Sequence, residues 1–356
     1  MSDREPLRIT WAAGRGSERA GTPSTGGPTM AEADTVPSAP AATTPTAAGR
    51  RRGAARGEVV PPARPESYYG RPVIKPPPWE PHFIASYFFA GGLAGASAAL
   101  AAAARLAGNR PLERRAWAAS LAGLAVGSPL LIADLGRPAR FLNMMRVFKV
   151  TSPMSVGSWV LAATGGAVTV AAAQSLLPRV PQWAGSAAAA PAGVLGTVLA
   201  SYTGGLLADT AVPAWLEARR ELPFVFAGSA MASAGGAAFA LTPPPHAGAA
   251  RRLLIAGAAV EIAAGRLMEH RLGELAEPYR SGRSGRLARA ALAATAAAAS
   301  VAATGAGRRL AVCAGALALA GSALERFAVL EAGFASARDA AATVGPQRAR
   351  IAARAD

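Results

Sequence analysis

From residue 83 onward the chain repeats one pattern: a run of Ala, Gly, Leu and Val almost free of charge, then a short charged connector. Each run is about long enough to cross a bilayer as a helix. The runs are Phe83–Ala104, Ala116–Ala133, Pro153–Leu177, Trp183–Leu207, Leu222–Leu241, Leu253–Met268, Ala290–Gly307 and Leu310–Leu330. In hydrocarbon every backbone N–H and C=O must be bonded within the protein, which leaves the helix as the form for such runs. The pattern predicts an all-α integral membrane protein with eight transmembrane helices. The sixth run is the weakest: Arg252 precedes it, and its short core holds Glu261 and Arg266. The eighth carries Glu325 and Arg326 near its end. Loss of either run leaves seven spans and moves the C-terminus to the other side.

Residues 1–66 are rich in Ala, Pro, Thr, Gly and Arg and poor in large apolar residues, so they are expected to form a disordered tail. They lack the apolar core of a signal peptide, and no such core follows Arg50-Arg51-Arg52. Residues 67–340 form the expected membrane domain, and 341–356 a basic C-terminal tail. Within SYYGRPVIKPPPWEPHF, Pro76-Pro77-Pro78 predicts an extended lead into the first span. Gly91, Gly92, Gly95 and Ser97 then place small residues on neighbouring turns, where helix backbones approach closely.

The net charge is +16. In a soluble chain this would point to nucleic acid. Here the bases flank apolar spans, so the expected partner is the lipid bilayer and not nucleic acid. Arg and Lys favour the connectors on the side of both termini, which the positive-inside rule places in the cytoplasm of a bacterial cell. Trp79, Trp117, Trp183 and Trp215 fall near predicted span ends, as an aromatic belt requires.

Cys313 is the single cysteine, so an internal disulfide is excluded, and so is an iron–sulfur cluster held by cysteines of this chain alone. The histidines are His82, His246 and His270, and their positions do not supply facing axial ligands for a buried haem. No Walker loop, catalytic triad or metal cluster is present. Nor does any span show the Gly/Pro-interrupted pair of a transporter's broken helices, although intramembrane acids keep an ion or solute transporter as the rival reading. A passive membrane anchor is a second rival.

The densest polar stretch, DLGRPARFLNMMRVFKVTSPMSVGSW (134–159), lies between two apolar runs. Ser152-Pro153 predicts a helix start with a hydroxyl N-cap and Pro at the first helical position. Asp134 and Arg137 are three residues apart: they are either an interfacial salt bridge or an acid and a base serving a polar ligand head or a proton. Tyr202 and Asp209 are seven apart and share a helix face if the helix reaches that far. Asp209 and Glu261 are either proton carriers inside a bundle or solvated span ends. His82, at the start of the first span, is either an interfacial cap or a titrating hydrogen-bond donor.

The same stretch resembles the signature of the NrfD/PsrC family, the membrane subunits of polysulfide-reductase-like molybdoenzymes. YYGRPVIKPPPWE, YFFAGGLAGAS, YTGGLLADTAVPAW, LPFVFAGSAMASAG and FAVLEAGFASARD fit in order, over roughly residues 67–340. The resemblance implies two four-helix bundles and no haem or iron–sulfur cluster on this chain. It implies electron exchange between a quinone pool, menaquinone or ubiquinone, and a four-cluster ferredoxin-like iron–sulfur subunit that serves a molybdopterin catalytic subunit. By position it implies His82, Tyr87 and Tyr202 as quinone-binding residues. Asp134 and Arg137 lie close by and are candidates for proton transfer, together with Asp209 and Glu261.

Overall fold

The computed structural model describes residues 72–177, 179–305 and 307–355. The expected disordered tail, residues 1–66, lies outside them. Residues 72–80 carry no regular structure and lead to α1 (Pro81–Leu106), which starts with Pro at the position where a missing N–H costs nothing. Asn109 caps α2 (Arg110–Asp134), its side chain accepting the Leu112 N–H at 3.3 Å. A connector with short α3 (Ala139–Met144) leads to α4 (Pro153–Leu176). Ser152 caps α4 by accepting the Ser155 N–H at 3.4 Å, ahead of Pro153. Then come α5 (Gln182–Ala208), short α6 (Pro213–Glu217), α7 (Leu222–Leu241), α8 (Gly248–Leu272) and short α9 (Glu277–Arg280). The chain continues through α10 (Gly282–Ala303), α11 (Arg308–Arg338) and α12 (Ala340–Ala355). The basic C-terminal segment is thus helical over its described residues.

Among the described residues six helices, α1, α2, α4, α5, α7 and α11, are long and apolar enough to cross a membrane. At the places of the expected sixth and seventh spans, α8 and α10 are full-length helices outside that set. The reason is charge: α8 carries Arg251, Arg252, Glu261 and Arg266, and α10 opens on Arg283, Arg286 and Arg289. The eighth run belongs to the six despite Glu325 and Arg326, because α11 is 31 residues long and its apolar part precedes them. Pro129 in α2 and Pro191 in α5 sit inside continuous helices.

Small residues set the packing. Gly95 of α1 lies against the backbone of Gly196 and Ala200 of α5, and Gly123 of α2 against Ala90 of α1. Gly228 and Gly257 bring α7 onto α8, while Gly236 and Gly315 bring α7 onto α11. A Cβ at any of these glycines would strike a neighbour, so close approach without a side chain replaces the large apolar core of a soluble protein. Helix α1 touches α2, α5, α7 and α11; α4 lies against α2 and α5, and α10 against α8 and α11.

Hydrogen bonds define two ends of this assembly. At one, which holds the α3 connector, the Glu80 N–H donates to Asp134 Oδ1 at 2.9 Å and Trp215 Nε1 to the Val329 carbonyl at 2.8 Å. There Trp215 stacks on Trp79 and lies against Gly333 and Phe334. At the opposite end Asn109 Nδ2 donates to the His246 carbonyl at 2.9 Å, and Arg105 bridges to Gln174 and Ser186, each at 2.8 Å.

Candidate functional site

The 134–159 stretch is built around its serines and glycines. Gly136 turns the chain out of α2 with φ +72°, a conformation that side chains disfavour. Arg140 then donates to the Leu135 carbonyl at 2.8 Å. Ser155, in the first turn of α4, accepts the Lys149 N–H at 3.0 Å and donates to the Val147 carbonyl at 3.2 Å. One hydroxyl therefore fastens the connector to the helix that follows it.

Two residues later comes Gly157, and the ring of Tyr202 occupies the space where its Cβ would be. The Tyr202 hydroxyl donates to the Pro153 carbonyl in the same turn. The start of α4 is thus a seat for the phenol of α5, and a side chain at position 157 would fill it. Tyr87 of α1 is buried and lies near enough to Tyr202 for the two phenols to interact electrostatically. Outside this pair a groove of about 480 Å³ runs between the start of α4, the end of α5 and the start of α7. Val150, Pro153, Val156 and Leu206 wall it, with Thr151, Ser201, Tyr202 and Asp209 as polar groups. Helix α5 stops at Ala208, so Asp209 caps its end, and it still lines the same groove as Tyr202.

His82 and Asp134 meet at a different point of the same end. His82 is exposed, tilted on Phe83, and close enough to Asp134 for their charges to interact. It stands five positions from Tyr87, about 140° around the helix, so the two side chains leave α1 on different faces. Asp134 is held by the Glu80 N–H, whereas Arg137 is exposed, and no ion pair joins Asp134 to Arg137 among the described residues. The local salt bridge weighed for them is not formed: the helix ends at Asp134 and the Gly136 turn carries Arg137 outward.

Glu261 belongs to a third and quite different cluster. It is buried in α8 and faces Thr295 of α10, whose hydroxyl lies 3.5 Å away, and Glu325 and Arg326 of α11. Arg326 is fully buried; it pairs with Glu325 at 3.0 Å and donates to the Phe226 carbonyl at 2.8 Å. Its guanidinium also lies over the Phe226 ring, 3.7 Å from the centroid. Glu261 Oε2, Glu325 Oε1 and Arg326 Nε have no hydrogen-bond partner among the described residues. Both carboxylates line a cavity of about 520 Å³ between α8, α10 and α11, walled by Ile262, Met268 and Leu292 and by the charged Arg266, Glu269, Arg280 and Arg289. With both acids charged the cluster would hold two negative groups against one positive, an arrangement whose desolvation is costly. At its edge Tyr279 donates to the Ala214 carbonyl at 3.0 Å, and burial holds that phenol above its ordinary pKa.

Glu325 and Arg326 are the functional candidates that sequence reasoning passed over. Their signal was visible, since ionisable groups inside an apolar run are themselves a reason to look for a site. Gly157 left no such signal: only the fold shows which ring needs its missing side chain.

A polytopic helical membrane protein with buried polar clusters and a glycine-seated tyrosine is the class that fold and site define. Residues 74–243 match the family described as Polysulphide reductase, NrfD. Over that segment the chain is similar to the NrfD family. The match takes in α1 to α7, with the Tyr87, Tyr202 and Asp134 positions, and stops before Glu261. No curated protein matches the chain.

Proposed function

We propose that the protein is the membrane anchor and quinone- or quinol-binding subunit of a multisubunit oxidoreductase. In this reading it lets electrons pass between the quinone pool and a four-cluster ferredoxin-like iron–sulfur subunit, which serves a molybdopterin catalytic subunit. The observation that carries the reading is the Tyr202 seat on Gly157, inside the family's matched segment and beside an apolar-walled groove. Quinone is a flat apolar ring with two carbonyl acceptors. The groove offers apolar walls for the ring and a phenol to donate to a carbonyl, so the residues fit the substrate. In the structure that phenol donates to Pro153, so gripping a quinone carbonyl exchanges one acceptor for another. Tyr87 backs Tyr202 from α1. In this reading His82, near Asp134 at the exposed start of α1, donates to a second polar group at the same end, and proton transfer toward water uses Asp134, with Arg137 as a fixed positive charge at that end. Asp209 serves the groove side, and Glu261 a separate route through the buried acids.

The full reading has eight membrane crossings in two four-helix groups, α1, α2, α4, α5 and α7, α8, α10, α11, and both termini in the cytoplasm of a bacterial cell. The pairing of α8 and α10 with flanking apolar helices, despite their charge, supports it. The test is quinone-linked turnover of the assembled complex carrying Tyr202→Phe or His82→Ala. Each variant should raise the KM for quinone while the complex purifies intact. An unchanged KM and turnover in both would overturn the site.

A second reading, an ion-conducting protein, draws on the Glu261–Glu325–Arg326 cluster. Vesicles holding this chain alone would then dissipate a pH or cation gradient, which the quinone-subunit reading does not require.

A further inference from the structure

The two ends of the assembly differ in their acids. At the α3 end several arginines find carboxylates, Arg271 meeting Glu221 at 2.6 Å, Arg350 meeting Glu217 at 2.9 Å and Arg283 meeting Glu331 at 3.5 Å, while others such as Arg137 and Arg219 stay exposed without one. At the opposite end the described connectors carry Arg105, Arg110, Arg114, Arg115, Arg251 and Arg308, among others, and Glu113 is the acid set against them. Glu113 is buried and already engaged, with Arg105 at 2.9 Å and with Trp117 Nε1 at 3.3 Å. That leaves Arg110, Arg114 and Arg115 exposed, with no carboxylate partner among the described residues.

These three and Arg105 line a cavity of about 700 Å³ between the α1–α2 turn, the first turns of α2, and the end of α4 at Gln174 and Leu176. Arg110 and Arg114 are one turn apart on α2, where like charges repel. Glu113, the carboxylate among the cavity's lining residues, is already engaged by Arg105, so an anion entering the cavity would relieve that repulsion. The cavity also sits where the apolar helix surface ends. Val126 of α2, Val170 of α4 and Leu177 just beyond α4 are exposed on the same pair of helices. A guanidinium cluster at that depth, above an apolar helix face, has the chemistry of a phospholipid headgroup site.

We propose that this cavity binds the phosphodiester of an anionic phospholipid, held by Arg110, Arg114 and Arg115, with Arg105 as the fixed floor. Acyl chains then lie along α2 and α4. The site is remote from the tyrosine groove, and the proposal does not depend on the quinone reading.

The test is lipid retention by the full chain in mild detergent, loaded with phosphatidylglycerol or phosphatidylcholine and read by native mass spectrometry. The comparison is among the native chain, Arg110→Gln/Arg114→Gln/Arg115→Gln, and a control, Arg219→Gln/Arg220→Gln/Arg286→Gln, that removes exposed bases from the α3 end. The native chain and the control should retain phosphatidylglycerol in preference to phosphatidylcholine, and the first variant should retain it at least about ten-fold less well. Equal retention by native chain and variant, or no preference between the lipids, would overturn the proposal. Displacement of the lipid by millimolar inorganic phosphate would overturn the lipid assignment in favour of a free-phosphate site. If the triple variant does not fold, Arg114→Gln alone carries the test and should show a smaller loss in the same direction.

Discussion

The tyrosine seat and the acid–arginine cluster are two ways of placing polar groups inside helices that are otherwise Ala, Gly and Leu. Tyr87 and Tyr202 are neutral, and Tyr202 is partnered by a carbonyl at a helix start and opens onto a groove. Glu261, Glu325 and Arg326 are ionisable, deep, and leave acceptor and donor atoms unpaired. A neutral phenol can exchange one acceptor for another at small cost, which suits a ligand that comes and goes. A buried charge cannot lose its partner cheaply, so the second cluster suits a proton that moves among fixed groups. On the proposed function, the first is the binding region and the second the proton-handling one.

The comparison breaks most visibly at Arg326. Arg326→Met leaves Glu325 buried without its partner, and removal of one member of a buried pair costs about 3–5 kcal/mol. The thermal transition of the purified chain should fall steeply, and Glu325→Gln in the same background should restore much of the loss. An unchanged transition in the single variant would mean that the guanidinium is not held as described.

Gly157→Val tests the other region. Its side chain must share space with the Tyr202 ring, an overpacking of about 1–3 kcal/mol. The chain should still fold, with Tyr202 pushed from Pro153 and quinone-linked turnover lost. Normal turnover would show that the seat is dispensable. The mildest change is Glu261→Gln, which removes a buried titratable carboxyl while keeping its shape. Stability should stay the same or rise, because the carboxyl has no ion-pair partner of its own, while the pH dependence of turnover changes and the KM for quinone does not. A raised KM with an unaltered pH profile would move Glu261 to the binding region.

Much of this architecture is legible before folding. Charge-poor runs mark the six apolar helices among the described residues, the more charged runs mark α8 and α10, and Ser152-Pro153 marks the start of α4. The seven-residue spacing of Tyr202 and Asp209 puts both on one groove. Less legible is what depends on neighbours far along the chain. Asp134 looked toward Arg137, three residues away, yet its partner is the Glu80 N–H, 54 positions distant. Glu325 and Arg326 looked like flaws in a span, but they gain meaning from Phe226, 100 positions from Arg326, and from Glu261. The family resemblance grouped His82, Tyr87 and Tyr202, and only the helix shows that His82 and Tyr87 leave α1 on different faces.

The claim that the α4–α5 groove is the quinone site is tested most directly by photo-crosslinking. A ring-labelled azidoquinone, irradiated with the assembled complex and mapped to peptides, should mark the stretch around Pro153–Gly157 and the end of α5 near Tyr202. Excess unlabelled quinone should compete that labelling away. Competable labelling confined to the α8–α10 cavity at Glu261, with none at Tyr202, would contradict the account.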